Sequence, residues 1–286
     1  MRKFVIVPFL ASSLLSGTIL STADGGASWQ REFSGTVGDL NGVAVDIFTG
    51  AALAVGDGGR IIRRGDDSIW EDVSLDGFQN DLFSVVMGSG GVCMACGADG
   101  ALLSSFDGGY SWRVWEGFDS GGADLLTVNF DPTSPDNFVI TGENGFVHSA
   151  SAGREQIDGV TGSCARLCSG EAEALAAPAG SITALVSAGS PCIAVGEEGA
   201  VFLFGNNGWA RIESGCEEDL NGVTNLVFGE TFCAVGEGGA IILSEDNGLS
   251  WRVVDSGTAA DLNGVAGNGG GIGYIVGDGP FGRYLP

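Results

Sequence analysis

The chain is poor in the residues that most enzymes and nucleic-acid binders depend on. Its 286 residues hold a single histidine, His148, and only 12 lysines and arginines against 36 aspartates and glutamates, a formal net charge of −24. One histidine rules out a His-based metal centre and a Ser-His triad. So acidic a surface should repel nucleic acid and anionic membranes at ordinary salt. Beyond the N-terminus no apolar run reaches the ~18 residues that a membrane span needs. The 51 glycines follow no G-X-Y period, which excludes collagen and points to many tight turns. What remains is an apolar content of 44%, ample for a core, in a chain long enough for one large soluble domain or two small ones.

Self-similarity decides between these. The same run recurs: Asp-Leu-x-x-Val, a gap, an apolar pair, Val-Gly-acid-x-Gly, Ile/Leu pairs and often Trp. Six copies open at Asp39, Asp81, Asp124, Ser181, Asp219 and Asp261. A period of about 40–50 residues built from short strands reads as an all-β propeller with one four-stranded blade per copy. In the copy at Asp219 the strands are expected near 220–228, 231–235, 240–244 and 250–255. Second strands such as "ALAVG", "CIAVG" and "FCAVG" are continuously apolar, as strands covered on both faces should be. Trp29, Trp70, Trp112, Trp209 and Trp251 fall at the expected starts of fourth strands, where a ring can be buried between blades or serve as a binding aromatic.

The turn S-x-D-x-G-x-S-W is intact at Ser105–Trp112 and Ser244–Trp251 and close at Thr22–Trp29; the corresponding turns of the copies at Asp39, Asp124 and Ser181 have eroded. It is similar to the Asp-box of BNR-type repeats, a structural motif. Its acid, here Asp24, Asp107 or Asp246, is expected to fold back on the amides of the turn, with Trp29, Trp112 or Trp251 behind it. Together with "DLNGV…AVGEGGAIILSEDNGLSW", the chain resembles the photosystem II stability/assembly-factor family of propellers over nearly all of residues 29–286. The resemblance implies a non-enzymatic scaffold that meets a protein partner, and it makes an arginine patch worth attention.

The last copy supplies three strands, expected near 262–266, 272–276 and 281–285, and "SWQREF" is a fourth strand with no blade before it. The N-terminus is therefore expected to complete the C-terminal blade and close a ring of six. Arg2 and Lys3 followed by Phe4–Leu15 have the form of a signal peptide, with Ser21 and Ala23 at the −3 and −1 positions of a cleavage site. On that reading residues 1–23 are removed, residues 24–286 form the propeller, and the protein is exported to a periplasm, a thylakoid lumen or the outside of the cell. The alternative is an uncut cytoplasmic chain in which "SGTILSTADGG" belongs to a degraded seventh blade. Of seven cysteines, Cys93, Cys96, Cys192 and Cys233 fall in second strands, where small buried side chains fit. Cys164 and Cys168 lie in an insertion at about 158–180 and could pair after export, leaving Cys216 over. No cysteine precedes Cys93, which argues against a lipid anchor.

For chemistry the chain offers little. A sialidase needs three arginines converging on the substrate carboxylate, an acid, and a Tyr/Glu nucleophile pair. Only Arg60, Arg63 and Arg64 cluster, in "GGRIIRRG", either as a solvated strand edge or as a partner-binding patch. Carboxylates are the recurrent feature. Asp39, Asp81, Asp124, Asp219 and Asp261 stand at the starts of first strands, and Asp57, Asp99, Glu143, Glu197, Glu237 and Asp278 in the turns between second and third strands. Both positions belong to one face of a propeller. They are either turn chemistry copied with the repeat or a docking rim that could also hold a cation such as Ca²⁺. The expectation is a monomeric, non-enzymatic protein-binding propeller without a resident cofactor. A BNR-type glycan-active enzyme or lectin and a cation-dependent surface protein are the alternatives.

Overall fold

A computed structural model describes residues 17–65, 68–115, 120–131, 134–142, 147–151, 157–158, 182–187, 192–205 and 208–279. Their 24 strands form six four-stranded antiparallel sheets, arranged as the blades of a propeller. The first blade is β3 (Leu40–Val45), β4 (Ala52–Gly56), β5 (Arg60–Arg64) and β6 (Trp70–Asp72), and the second is β7 (Leu82–Met87), β8 (Cys93–Gly97), β9 (Leu102–Ser105) and β10 (Arg113–Val114). The third is β11 (Leu125–Asp131), β12 (Ser134–Gly142), β13 (Val147–Ser151) and β14 (Ile157–Asp158). The fourth is β15 (Ile182–Ser187), β16 (Cys192–Gly196), β17 (Val201–Gly205) and β18 (Gly208–Ile212), and the fifth is β19 (Leu220–Val227), β20 (Thr231–Gly236), β21 (Ile241–Ser244) and β22 (Arg252–Val254). Among the described residues no helix is long and apolar enough to cross a membrane.

The sixth blade closes the ring and corrects the expected closure. From the C-terminus it takes only β23 (Leu262–Gly267) and β24 (Gly273–Gly277); the N-terminus supplies a hairpin, β1 (Thr18–Thr22) and β2 (Gln30–Glu32), in the sheet order β2-β1-β24-β23. β1 lies antiparallel to β24, Thr18 opposite Gly277 and Thr22 opposite Gly273. The third place in this sheet thus belongs to Thr18–Thr22 and not to the strand expected near 281–285, which lies outside the described residues. β1 belongs to the sixth blade, not to a seventh, and it lies upstream of Ala23, so a cut there would take it away.

Packing follows from the repeat. Second strands such as β4, β8, β16, β20 and β24 are buried at every residue because each sheet is covered by a neighbour on both faces. First strands lie side by side around the centre, β15 by β19, β19 by β23, β23 by β3, β3 by β7 and β7 by β11. Every first strand shifts register after its first Leu or Ile, a bulge that increases the local twist. The glycine that ends β4, Gly56, is required: a Cβ there would run into the Asp39 carbonyl. Among the described residues five of the six seams between blades have their own apolar cluster. Leu53, Val55 and Ile61 of the first blade meet Leu82, Leu103 and Trp112 of the second. Cys192 is disulfide-bonded, with its partner outside the described residues, whereas Cys93, Cys96, Cys216 and Cys233 are free.

Candidate functional site

Antiparallel order puts the starts of first strands and the second-to-third turns on one face, here the upper, and the Asp-box turns on the lower. On the upper face the aspartates at the strand starts share one task. The Asp81 carboxylate accepts a hydrogen bond from the Gly58 amide at 2.7 Å, Asp124 from the Asp99 amide at 2.8 Å, Asp219 from the Glu198 amide at 2.8 Å, Asp261 from the Gly238 amide at 2.8 Å and Asp39 from the Gly279 amide at 2.9 Å. Each carboxylate therefore holds the turn of the preceding blade, while the backbone carbonyls of Asp39, Asp81, Asp219 and Asp261 take an amide of their own turns, as Asp39 does for Asp57. The acid does not cap its own turn with its side chain; it staples two blades. At the remaining seam the corresponding residue, Ser181, lies outside the described residues.

A second set of staples is the asparagine of "DLNGV". Asn41 donates to the Leu82 carbonyl, Asn221 to that of Leu262 and Asn263 to that of Leu40, at 3.0–3.2 Å. Recurrence of Asn after Asp-Leu in three copies was the sequence signal for it; the bulge at that point turns the amide towards the next blade. Asn41 also reaches Asp57, which is exposed, and Asn263 reaches Asp278, which is buried, so of these two turn acids only Asp278 is held within the ring. Glu197 and Glu237 are exposed. Burial and the nearby carboxylates of Asp261, Asp219 and Glu218 push the Glu237 carboxyl up. The upper face thus concentrates negative charge over the fourth to sixth blades. Glu143 and all of the insertion beyond Asp158 lie outside the described residues. Among the described residues no three His, Cys, Asp or Glu side chains come together as metal ligands.

The three arginines do not converge. They share β5, but strand alternation sends Arg60 and Arg64 to one face of the sheet and Arg63 to the other. Arg60 pairs with Asp72. Arg63 donates from Nε to the Gly108 carbonyl at 2.9 Å and stacks over Tyr110 of the second blade. Arg64 makes a two-pronged contact with Glu32 at 2.9 and 3.2 Å on the other seam.

On the lower face Asp24, Asp107 and Asp246 each fold back on the amides of their own turns. Asp24 accepts from the Ser28 hydroxyl and amide and the Thr22 hydroxyl, which hold its carboxyl down at about 2. For Asp107 burial works in the opposite direction, but hydrogen bonds from Ser111, Ser105 and Tyr110 outweigh it and leave the carboxyl at about 2. Asp246 is lowered likewise, chiefly by the Ser250 hydroxyl and amide. Trp112 and Trp251 donate to the carbonyls of Gly109 and Gly248 in the same turns, while the buried Trp29 Nε1 has no partner among the described residues. The rings of Trp29, Trp70, Trp112 and Trp251 pack in the clusters between blades, and Trp209 packs against Ala194, Ala200 and Phe202.

These features define a class: a six-bladed β-propeller closed by an N-terminal hairpin, with carboxylates along its upper face. Among solved structures it is similar to YCF48 from Cyanidioschyzon merolae, with a TM-score of 0.51 at 16% identity, covering 91% of this chain and 86% of that one. It is also similar to YCF48 bound to D1 peptide, with a TM-score of 0.53 at 15% identity over 93% of this chain and 85% of that one. At these identities the likeness is one of fold. No protein-family model matches the chain, and no curated protein matches it in sequence.

Proposed function

We propose that this propeller is a non-enzymatic, exported protein-interaction scaffold that takes a basic peptide segment of a partner on its upper face. The observation that carries the reading is the convergence of Glu218, Asp219, Glu237 and Asp261 on one stretch of that face. Two of these, Asp219 and Asp261, are fixed by their staples and cannot turn away. The similar structure of YCF48 bound to D1 peptide is that of a propeller of this kind holding a peptide, which supports the peptide as the class of ligand. Because β1 is part of the ring, an exported form is expected to keep Thr18–Thr22.

Fluorescence anisotropy of a labelled oligo-arginine peptide tests the reading. Raising ionic strength from 0.01 M to 0.15 M shortens the Debye length from about 30 Å to about 8 Å and should weaken binding steeply. Replacing Glu197, Glu218 and Glu237 by Gln should weaken it by about tenfold or more at low salt. The matched replacement of Glu71, Glu230 and Glu245, off that face, should change it little. Equal losses from the two triple variants would show that only net charge matters, and the upper face would have no claim to be a site.

A further inference from the structure

The hairpin that closes the ring is joined to three blades by contacts of different kinds. β1 sends successive residues to opposite seams. Ile19 packs with Leu40, Ile62 and Trp70 of the first blade, whereas Leu20 packs with Leu226, Val235 and Leu243 of the fifth. At the hairpin tip the Gly25 amide bonds to the Gly271 carbonyl at 3.0 Å. At its far end Glu32 is a charged anchor: it receives Arg64 and, at 2.8 Å, the indole Nε1 of Trp70. Arg64 in turn lies over the ring of Tyr274 in β24, and Trp70 meets that ring edge-on. This cluster ties β2, the first blade and the C-terminal strands together. Glu32 and Arg64 are both about four-fifths shielded from solvent, with 18% of each side chain exposed.

The remaining bonds of β2 are few. Three residue pairs join it to β1, Gln30 and Arg31 are exposed, and Trp29 beside it is half-buried, its Nε1 without a partner among the described residues. Every pair between β1 and β24 joins residues more than 240 positions apart, as in Thr18 with Gly277. Contacts so distant in sequence carry the largest closure entropy and form last. The hairpin is also the part of the ring that can leave without breaking the order of the other blades, as a sub-global opening requires.

We propose that the hairpin is an exchangeable strap latched by Glu32, and that the β24 edge beneath it is a strand-addition site. Its ligand is an extended peptide with two successive apolar residues, one for each seam. With the strap out, β24 presents an unpaired edge between two apolar walls. Backbone hydrogen bonds of an added strand satisfy the edge, and its alternating side chains fill the seams, as in other strand-complementation complexes.

A fluorescein-labelled synthetic peptide of residues 17–34 tests this against the full-length protein. The labelled peptide should be taken up slowly by the wild type, at the rate at which the strap opens. Glu32→Gln, which removes the anionic partner of Arg64, should speed uptake at least tenfold, and Glu71→Gln on the exposed edge of the first blade should not. A scrambled peptide lacking the adjacent Ile-Leu pair should not enter. Native-state hydrogen exchange on the wild type gives the same answer without any variant: amides of β1 and β24 should exchange at least tenfold faster than those of β8 and β20. No uptake by the Glu32→Gln protein, equal uptake rates, or uniform exchange across the blades would each overturn the proposal. None of these outcomes bears on oligo-arginine binding at the upper face, which stands or falls by its own titration.

Discussion

Replacing Ile19 or Leu20 by alanine measures what the N-terminal strand does for the whole ring. Both side chains are almost fully buried, at 0% and 2% exposure, and the two lie in separate clusters on either side of the sixth blade. A buried Ile or Leu cut back to Ala in a core of this kind costs about 2–5 kcal/mol, part transfer and part cavity. Because the clusters share no member, the costs should nearly add, giving about 4–10 kcal/mol for the double variant. A domain of this size has about 5–15 kcal/mol in total, so the double variant should sit at the edge of unfolding. Removal of residues 1–23 takes the same side chains together with the pairing to β24 and should lower the urea midpoint steeply, while the five blades that do not contain β1 keep a cooperative transition of their own. Urea unfolding followed by far-ultraviolet circular dichroism and by tryptophan fluorescence reads all four altered proteins against the full chain. A chain beginning at Asp24 that unfolds at the same midpoint as the full chain would refute the role given to β1. So would a cost below about 1 kcal/mol for both single variants.

Gly109 in the second Asp-box has φ +86 and a Cβ built there would come to 2.8 Å from Leu53 Cδ1, so Gly109→Ala should cost about 2–4 kcal/mol in the same urea assay. Gly108→Ala, with φ +77 but open space, should cost only the left-handed backbone term of about 1–2 kcal/mol, and equal costs would remove the packing argument. Asp107 has a folded pKa depressed to about 2, so its contribution to stability is full above the ordinary carboxylate value and is lost as pH falls through about 2. Melting temperatures taken from pH 5 down to pH 2 should therefore fall less steeply in Asp107→Asn than in the wild type, and parallel curves would contradict the assignment.

Much of the architecture was legible because the repeat writes it six times. The bounds expected for the blade at Asp219 agree closely with β19 to β22, since the breaks are set by glycine turns and Asp-boxes that act over three or four residues. The "TFCAVG" strand announces two-sided burial by composition alone, and it is buried throughout. The arginines were misleading for a similarly local reason. Arg60, Arg63 and Arg64 are neighbours in the sequence, but a strand alternates its faces, and each head group finds its partner on a different element.

What the sequence determined by itself, then, is what short-range chemistry can specify: the six repeats, the order of strands in the five blades that each come from one stretch of chain, and the turns that carry Asp24, Asp107 and Asp246. The tertiary structure alone decided how the ring closes and what the upper acids do. "TILST" carries the apolar and small residues of both a strand and a cleavage region, and only pairing with Gly273–Gly277, at the other end of the chain, makes it β1. Asp81 could in principle have capped its own turn, and only the neighbouring blade brings the Gly58 amide within 2.7 Å. Both outcomes depend on groups that meet through closure of the ring, a constraint that no local stretch of sequence contains.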